Sequence, residues 1–491
     1  MTRRSRAPRA SWPPPFGAHA HAHAHGPAHA LALSLSLGVW SLLGPSPAHA
    51  EPQSAPQSVL EIPFEKYQLK NGLTVILHQD NRLPLVAVSV WYDVGALHER
   101  KGRSGFAHLF EHMMFQASPN VGEDKHFKYL EAAGGTNING TTGFDRTNYF
   151  ETVPSNELEL ALWLESDRMG FLPESLTRKS LDNQIEVVSN ERRQSVENRP
   201  YGLMYELITK TLYPEPHPYH GDVIGSLEDI QKATVDDVKD FFATYYTPAN
   251  ATLTIAGDID VEATKTLVEK YFGSLVGRPR PAPLKIPPPP FREAKTIHFE
   301  EPVGRLAKLV VTWPGPSSFE DDTAALDLLA HVLSGTRSAR LDRKITFDDL
   351  IAQSVTAYFS ESKSGGRFSI DVTLRPGRTT EEAEAAVNAV LADFKVHPPT
   401  EAELTRAVNS VETNLIEGLQ VLGGFGGRAE RLQLYQNLLK DPGRLAWDVR
   451  RYRSVTTADL SRVLDKYLGA VRLTIHAEPK ATLAHNNQET R

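Results

Sequence analysis

Between residues 75 and 92 the chain runs through short blocks of β-branched and apolar side chains broken by turn formers. Val75-Ile-Leu-His78 and Leu85-Val-Ala-Val-Ser-Val-Trp-Tyr92 read as strands, because such residues fit a pleated, half-buried surface. The period then changes. From Gly105 to Phe115 the apolar positions Phe106, Leu109 and Met113 recur at helical spacing with no proline, and Ser104 stands where an N-cap belongs. Asp145 to Val153, rich in Thr, Tyr, Phe and Val, reads as a further strand. Leu158 to Met169 and Leu176 to Asn198 read as helices, the second long and heavily charged.

The pattern breaks at residues 278–295. Pro279, Pro281, Pro283 and the run Pro287 to Pro290 favour extended polyproline II geometry, a semi-rigid spacer. It separates a first part, 63–277, from a second, 296–482. The two parts echo each other. Thr234, Asp237 and Tyr245 precede the strand-like Ala251-Thr-Leu-Thr-Ile255; Thr456, Asp459 and Tyr467 precede Val471-Arg-Leu-Thr-Ile475, 222 residues later. The same capping Thr and the same aromatic before the same kind of strand indicate two similar α/β domains.

Composition narrows the function classes. The 491 residues are 40% hydrophobic, enough for two or three cores. Lys plus Arg number 53 against 60 Asp plus Glu, and the net charge of -7 argues against a nucleic-acid binder. With no cysteine, disulfides and thiolate metal sites are excluded, so any metal must be held by His, Asp or Glu. At the N-terminus, Arg3, Arg4 and Arg6, the apolar run Ala30 to Leu43 and Ala48-His49-Ala50 form the pattern of a cleaved export signal over 1–50. A polar spacer, 51–62, follows, and 483–491 form a tail. No later stretch is apolar for long enough to span a membrane. The expectation is an exported chain, periplasmic or secreted, without a membrane span once the signal is removed.

The chemistry concentrates at His108-Leu-Phe-Glu111-His112. Residues four apart share a helix face, so both imidazoles can reach one ion. Glu111 borders that face and can take a proton from a zinc-activated water without ligating the metal. This is the H-x-x-E-H arrangement of inverted zincins. A third ligand must come from elsewhere, and the charged helix offers Glu186, Glu191 and Glu197, among which composition alone does not choose.

Three stretches in order resemble the pitrilysin-like inverted zincins, in particular their two-domain, processing-peptidase-like branch. They are Ser104-Gly-Phe-Ala-His-Leu-Phe-Glu-His-Met-Met-Phe115, Gly134-Gly-Thr-Asn-Ile-Asn-Gly-Thr-Thr-Gly-Phe-Asp-Arg-Thr-Asn-Tyr-Phe-Glu-Thr-Val-Pro154, and Val187-Val-Ser-Asn-Glu-Arg-Arg-Gln194. The likeness runs from about Tyr67 to about Glu478. It implies an α+β fold of two homologous α/β-roll domains, each a mostly antiparallel sheet packed with helices. It implies zinc held by His108, His112 and Glu191, which lies 79 residues after His112, with Glu111 as general base. It places the edge strand that pairs with substrate peptide at Asn139 to Tyr149, with Asn139 as the best contact. An acidic residue common in the family two turns before the distal ligand is replaced here by Gln184, which can hydrogen-bond but adds no charge.

The second part carries no such set. The repeat places the counterpart of His108 near Ala330, where His331 has no partner and reads as structural. The Arg and Tyr pair common in this part of catalytic relatives is replaced, in register, by Thr346 and Gln353; Arg343 and Tyr358 lie out of register. A chain with the metal set but without that pair is expected to work beside a homologous subunit, as a heterodimer in preference to a homodimer. His217 and His220, in a Pro-rich loop, read as structural. Gly423-Gly-Phe-Gly-Gly427 lacks a phosphate-loop context and reads as a tight turn or a flexible substrate-chamber segment. The expected activity is zinc-dependent hydrolysis of peptides or unfolded polypeptides; the alternative is a non-catalytic assembly or binding subunit of the same family.

Overall fold

The computed structural model describes residues 60–480. The expected signal at 1–50, the spacer up to residue 59 and the tail at 483–491 lie outside the described residues. The described chain builds two sheets. The first contains β1 (Glu65–Gln68), β2 (Thr74–Gln79), β3 (Leu85–Tyr92), β4 (Thr136–Thr142), β5 (Thr147–Pro154) and β6 (Ala251–Gly257), in the order β1-β2-β6-β3-β5-β4. The second contains β7 (Lys295–Glu301), β8 (Lys308–Pro314), β9 (Ala352–Ser360), β10 (Arg367–Leu374) and β11 (Leu473–Pro479), in the order β7-β11-β8-β10-β9.

Apart from β1 the two sheets share one topology. β2 is parallel to β6 as β7 is to β11, and every other pairing is antiparallel. The sequence echo is therefore a duplication of the whole unit. Its capping signal is realised twice: Asp237 N–H donates to Thr234 Oγ1 at 3.1 Å and Asp459 N–H to Thr456 Oγ1 at 3.2 Å, each Asp accepting in return from its Thr N–H. The α+β reading of two sheets packed with helices holds.

Between the strands of the first half lie α1 (Phe106–Met113), α2 (Lys125–Ala132), α3 (Leu158–Ser175), α4 (Arg178–Arg192) and α5 (Gly202–Leu212). One face of the first sheet, with Val86, Val88, Val90 and Tyr149, packs on Leu109, Phe110 and Met113 of α1 and Leu162 and Leu172 of α3. The opposite face is covered by the other half. Leu432 and Tyr435 of helix Arg428–Leu439 pack with Ile76, and Ala429 with Ala87 and Ala256. The exchange is reciprocal, since Met204, Ile208 and Leu212 of α5 bury against Val310, Leu473 and Ile475 of the second sheet. Each such side chain contributes roughly 1.5–3 kcal/mol on burial. This double coverage explains why β3 is buried along nearly its whole length and apolar but for Ser89: both of its faces are interior.

Polar groups lock the exchange. Gln433 Nε2 donates to Ser89 O at 3.0 Å and Thr252 O at 2.9 Å, and Tyr201 Oη donates to Leu306 O at 2.8 Å. Within the second half, buried Asp322 sits before helix Thr323–Leu333 and accepts from Arg462 Nη1 and Lys466 Nζ, both at 2.6 Å, and from Tyr467 Oη at 2.9 Å. Burial alone would raise its pKa, but these donors outweigh it and hold the carboxyl at about 2, below its ordinary 3.8. The folded-state value lies below the unfolded one, so the stabilisation is present above about pH 4 and is lost as pH falls towards 2. Asp322→Asn is expected to cost about 2 kcal/mol at pH 7 and to flatten the acid limb of stability between pH 4 and 2, read by urea denaturation across that range.

Candidate metal centre

Helix α1 carries His108, Glu111 and His112 on the side away from its buried Leu109 and Met113. Its N-terminus is not capped as the sequence suggested. Gly105, at φ +84°, is the N-cap, and a Cβ there would meet Ile224 O at 2.5 Å, so the position requires glycine. Ser104 instead turns its hydroxyl to Asp229 Oδ2 at 2.6 Å. The cap comes from outside the helix: Gly105 N–H donates to Glu99 Oε2 at 3.0 Å and Ala107 N–H to Glu99 Oε1 at 2.7 Å. The pattern search missed Glu99 because its carboxylate returns from a preceding loop.

Helix α4 brings the third donor. Of the three glutamates, Glu186 is exposed and Glu197 pairs with Arg192 at 3.4 Å. Glu191 meets both imidazoles, with Oε2 3.3 Å from His112 Nε2 and Oε1 3.8 Å from His108 Nε2. Among the described residues these three form the one group of at least three His, Asp or Glu donors that converge within 4.8 Å. A tetrahedral zinc with bonds of about 2.0–2.1 Å has donor–donor edges of about 3.3–3.4 Å, so the set fits the ion in donor chemistry, with the His112–Glu191 pair at that edge and the His108–Glu191 pair wider. Their side chains stay 12–18% exposed, which leaves an approach from solvent. Immediately after Glu191 the helix widens into a π turn, Arg193–Glu197, a local change common at functional sites.

The two imidazoles differ in electrostatics. Burial, with His112 adding to it, pushes the His108 imidazole down to about 4 and keeps it neutral at pH 7. Burial also works against charge on His112, but the Glu191 hydrogen bond and the Glu111 carboxylate outweigh it and raise its pKa. Burial would raise Glu191, yet the two histidines hold it below the ordinary value. Gln184 is buried two turns before Glu191 and hydrogen-bonds His112, as the amide reading allowed.

Glu111 is raised by burial, opposed by His112 and by Thr142, whose Oγ1 donates to Glu111 Oε2 at 2.5 Å. Thr142 and Gly140 belong to β4. A Cβ on Gly140 would lie 3.0 Å from Glu111 Oε1 and 3.1 Å from Phe115 Cε2, so glycine leaves the space that this carboxylate uses. A glycine inside a strand pattern was the available signal; Thr142 gave none.

The edge strand differs from its expected extent. It is β4, Thr136–Thr142, whereas Tyr149 lies on interior β5. The Thr-rich, aromatic second segment is more apolar because it is paired on both sides. Asn139 lies on β4 opposite Phe150, on the sheet face away from Glu111, and its Oδ1 accepts from Gly140 N–H at 2.9 Å.

Other candidates stand apart. His217 Nε2 contacts Pro287 O at 3.0 Å and His220 Nδ1 contacts Tyr213 O at 2.8 Å, both tying down loops. His331 joins no convergent donor set. Thr346 is buried in the π-helical segment Asp342–Asp348 and Gln353 is exposed on β9.

Comparison with known proteins places this geometry. Residues 74–218 match the model of Insulinase (Peptidase family M16), and residues 232–411 match that of the Peptidase M16 inactive domain. The chain is 29% identical to the zinc protease PqqE of Helicobacter pylori over 82% of this chain and 90% of that protein. It is 25% identical to the uncharacterized zinc protease YmxG of Bacillus subtilis over 73% and 85%. The crystal structure of a protease from Helicobacter pylori superposes with a TM-score of 0.78 at 26% identity, covering 86% of this chain and all of that one. A likeness in fold alone, with a TM-score of 0.75 at 19% identity over 85% and 98% of the two chains, extends to a peptidase M16 inactive domain from Pseudomonas fluorescens. With the donor set in the half that matches the peptidase model, the chain belongs to the pitrilysin-like M16 peptidase family.

Proposed function

We propose that this protein is an exported zinc metalloendopeptidase that cuts peptides or unfolded polypeptides. The observation that carries the reading is the convergence of His108, His112 and Glu191, with Glu111 held beside them by Thr142 at the sheet edge. Export rests on the signal-like N-terminal sequence. Among the described residues no helix is long and apolar enough to cross a membrane.

Each residue has a distinct part. His108, His112 and Glu191 would hold the ion through Nε2, Nε2 and a carboxylate oxygen. Bound zinc supplies a Lewis acid and lowers the pKa of water. Thr142 donates to Glu111 Oε2, which leaves Oε1 as the oxygen that would take the proton from the attacking water. The same carboxyl then delivers that proton to the leaving amine. Strand β4 lies at the free edge of its sheet, so a substrate can add to it as a further strand and present its backbone beside Glu111. Recognition through the backbone suits many sequences.

A homologous subunit completes the proposal. The second half offers Thr346 and Gln353 where an Arg and Tyr pair would reach substrate, and a partner chain would supply that pair. Purified chain should show weak cleavage alone and gain activity when mixed with a co-encoded homologue; full activity alone would remove the need for a partner.

Glu111→Gln should keep zinc, measured by atomic absorption, and lose about 10²–10⁴-fold in peptide hydrolysis. Glu191→Ala should lose the zinc itself. Equal hydrolysis by wild type and Glu111→Gln would sink the mechanism. In Gly140→Ala the new methyl crowds Glu111, and kcat should drop about tenfold or more with zinc content unchanged.

A further inference from the structure

The glycine-rich turn after helix Glu401–Leu419 is set by close approach of backbones. Gly424 and Gly426 have φ of +75° and +78°. A Cβ on Gly423 would meet Ala87 Cβ at 2.5 Å, and one on Gly427 would meet Gly423 O at 2.7 Å. Steric and conformational demands thus fix glycine at all four positions. The one side chain this turn displays is Phe425, which is 65% exposed. An exposed apolar residue is ordinary, but this one is aimed. Its ring meets Phe150 edge-on, with centroids 5.2 Å apart, and Phe150 pairs in register with Asn139 of β4. Gly424 packs over the start of the same strand, where a Cβ would lie 3.4 Å from the Asn137 side chain. The turn from the second half therefore stands at the edge strand of the metal-bearing half.

A peptide added to β4 would lie about 4.8 Å beyond it and turn alternate side chains to opposite faces. One set faces Glu111, as Gly140 and Thr142 do; the other faces the Asn139 side, where Phe425 stands. We propose that Phe425, backed by the buried Phe150, is a specificity-determining residue that offers an apolar subsite to a side chain of the bound peptide on the face away from Glu111. The inference rests on the reading of β4 as the peptide-binding edge. It adds a sequence preference, for an aliphatic or aromatic residue at one position, to otherwise backbone-directed binding.

The test uses zinc-loaded full-length chain carrying Glu111→Gln, so that peptides survive, with and without Phe425→Ala. Phe425 is exposed, and circular dichroism confirms that the variant is folded. The probes are fluorescein-labelled peptides, identical except that one Leu is moved along an otherwise Ser-Gly chain. Anisotropy should show one Leu position that binds best, and Phe425→Ala should weaken that peptide about tenfold while moving the all-Ser-Gly peptide less than about twofold. Phe425→Leu should restore most of the loss. No Leu preference, or a preference unchanged in Phe425→Ala, overturns the proposal. Cleavage of the preferred peptide by the wild type, assayed together with the co-encoded homologue, reports separately on the peptidase reading. Phe425-dependent binding without cleavage keeps the subsite and rejects catalysis, whereas cleavage without Phe425 dependence does the reverse.

Discussion

A metal donor set drawn from two helices constrains a fold more tightly than any single contact. His108 and His112 share α1, but Glu191 must arrive from α4 with its carboxylate 3.3 and 3.8 Å from their Nε2 atoms. Bond lengths of about 2.0–2.1 Å leave only tenths of an ångström of freedom. Both helices must therefore be held by something other than the ion. The apolar side of α1 is pressed into the first sheet, and its start is fixed by Glu99, Asp229 and the steric demand at Gly105. Helix α4 is fixed by its buried Leu181, Ile185 and Val188, and Arg192 at its end donates to Glu206 at 2.8 Å.

The same constraint explains how the duplicated half is used. Two copies of one topology need not both carry chemistry, and the second sheet instead contributes surface. Helix Arg428–Leu439 seals the face of the first sheet opposite α1, and the glycine turn before it reaches β4. Helix α5 returns the coverage to the second sheet. Each half thus completes the core of the other. Matching residues have diverged accordingly: Tyr467 holds Asp322 within its own half, while its counterpart Tyr245 donates to His98 O at 3.4 Å, near the approach to α1.

The sequence made α1 and its chemistry legible because the signal is local. Two histidines four residues apart with a glutamate between them define a helix face without reference to anything distant. The strands β2 and β3, the capping boxes at Thr234 and Thr456 and the lone His331 were readable for the same reason. The N-cap of α1 was not, since Ser104 has the right side chain in the right place and loses to Glu99, which arrives from a loop. The extent of the edge strand was misjudged because β4 and β5 differ less in composition than in position: one is paired on one side, the other on both.

By itself, then, the sequence determined the helix that carries His108, Glu111 and His112, the chemistry those residues can support and the duplication of the chain, all of which are written in residue spacing. The choice of Glu191 over Glu186 and Glu197 needed either a family resemblance or the packing of α4, because helical periodicity fixes a face but not what that face meets. The tertiary structure alone decided what Thr142, Gly140 and Phe425 touch. These residues act across strands or between halves, where pairing register and the close approach of backbones set the neighbours, and neither leaves a mark in the order of residues along the chain.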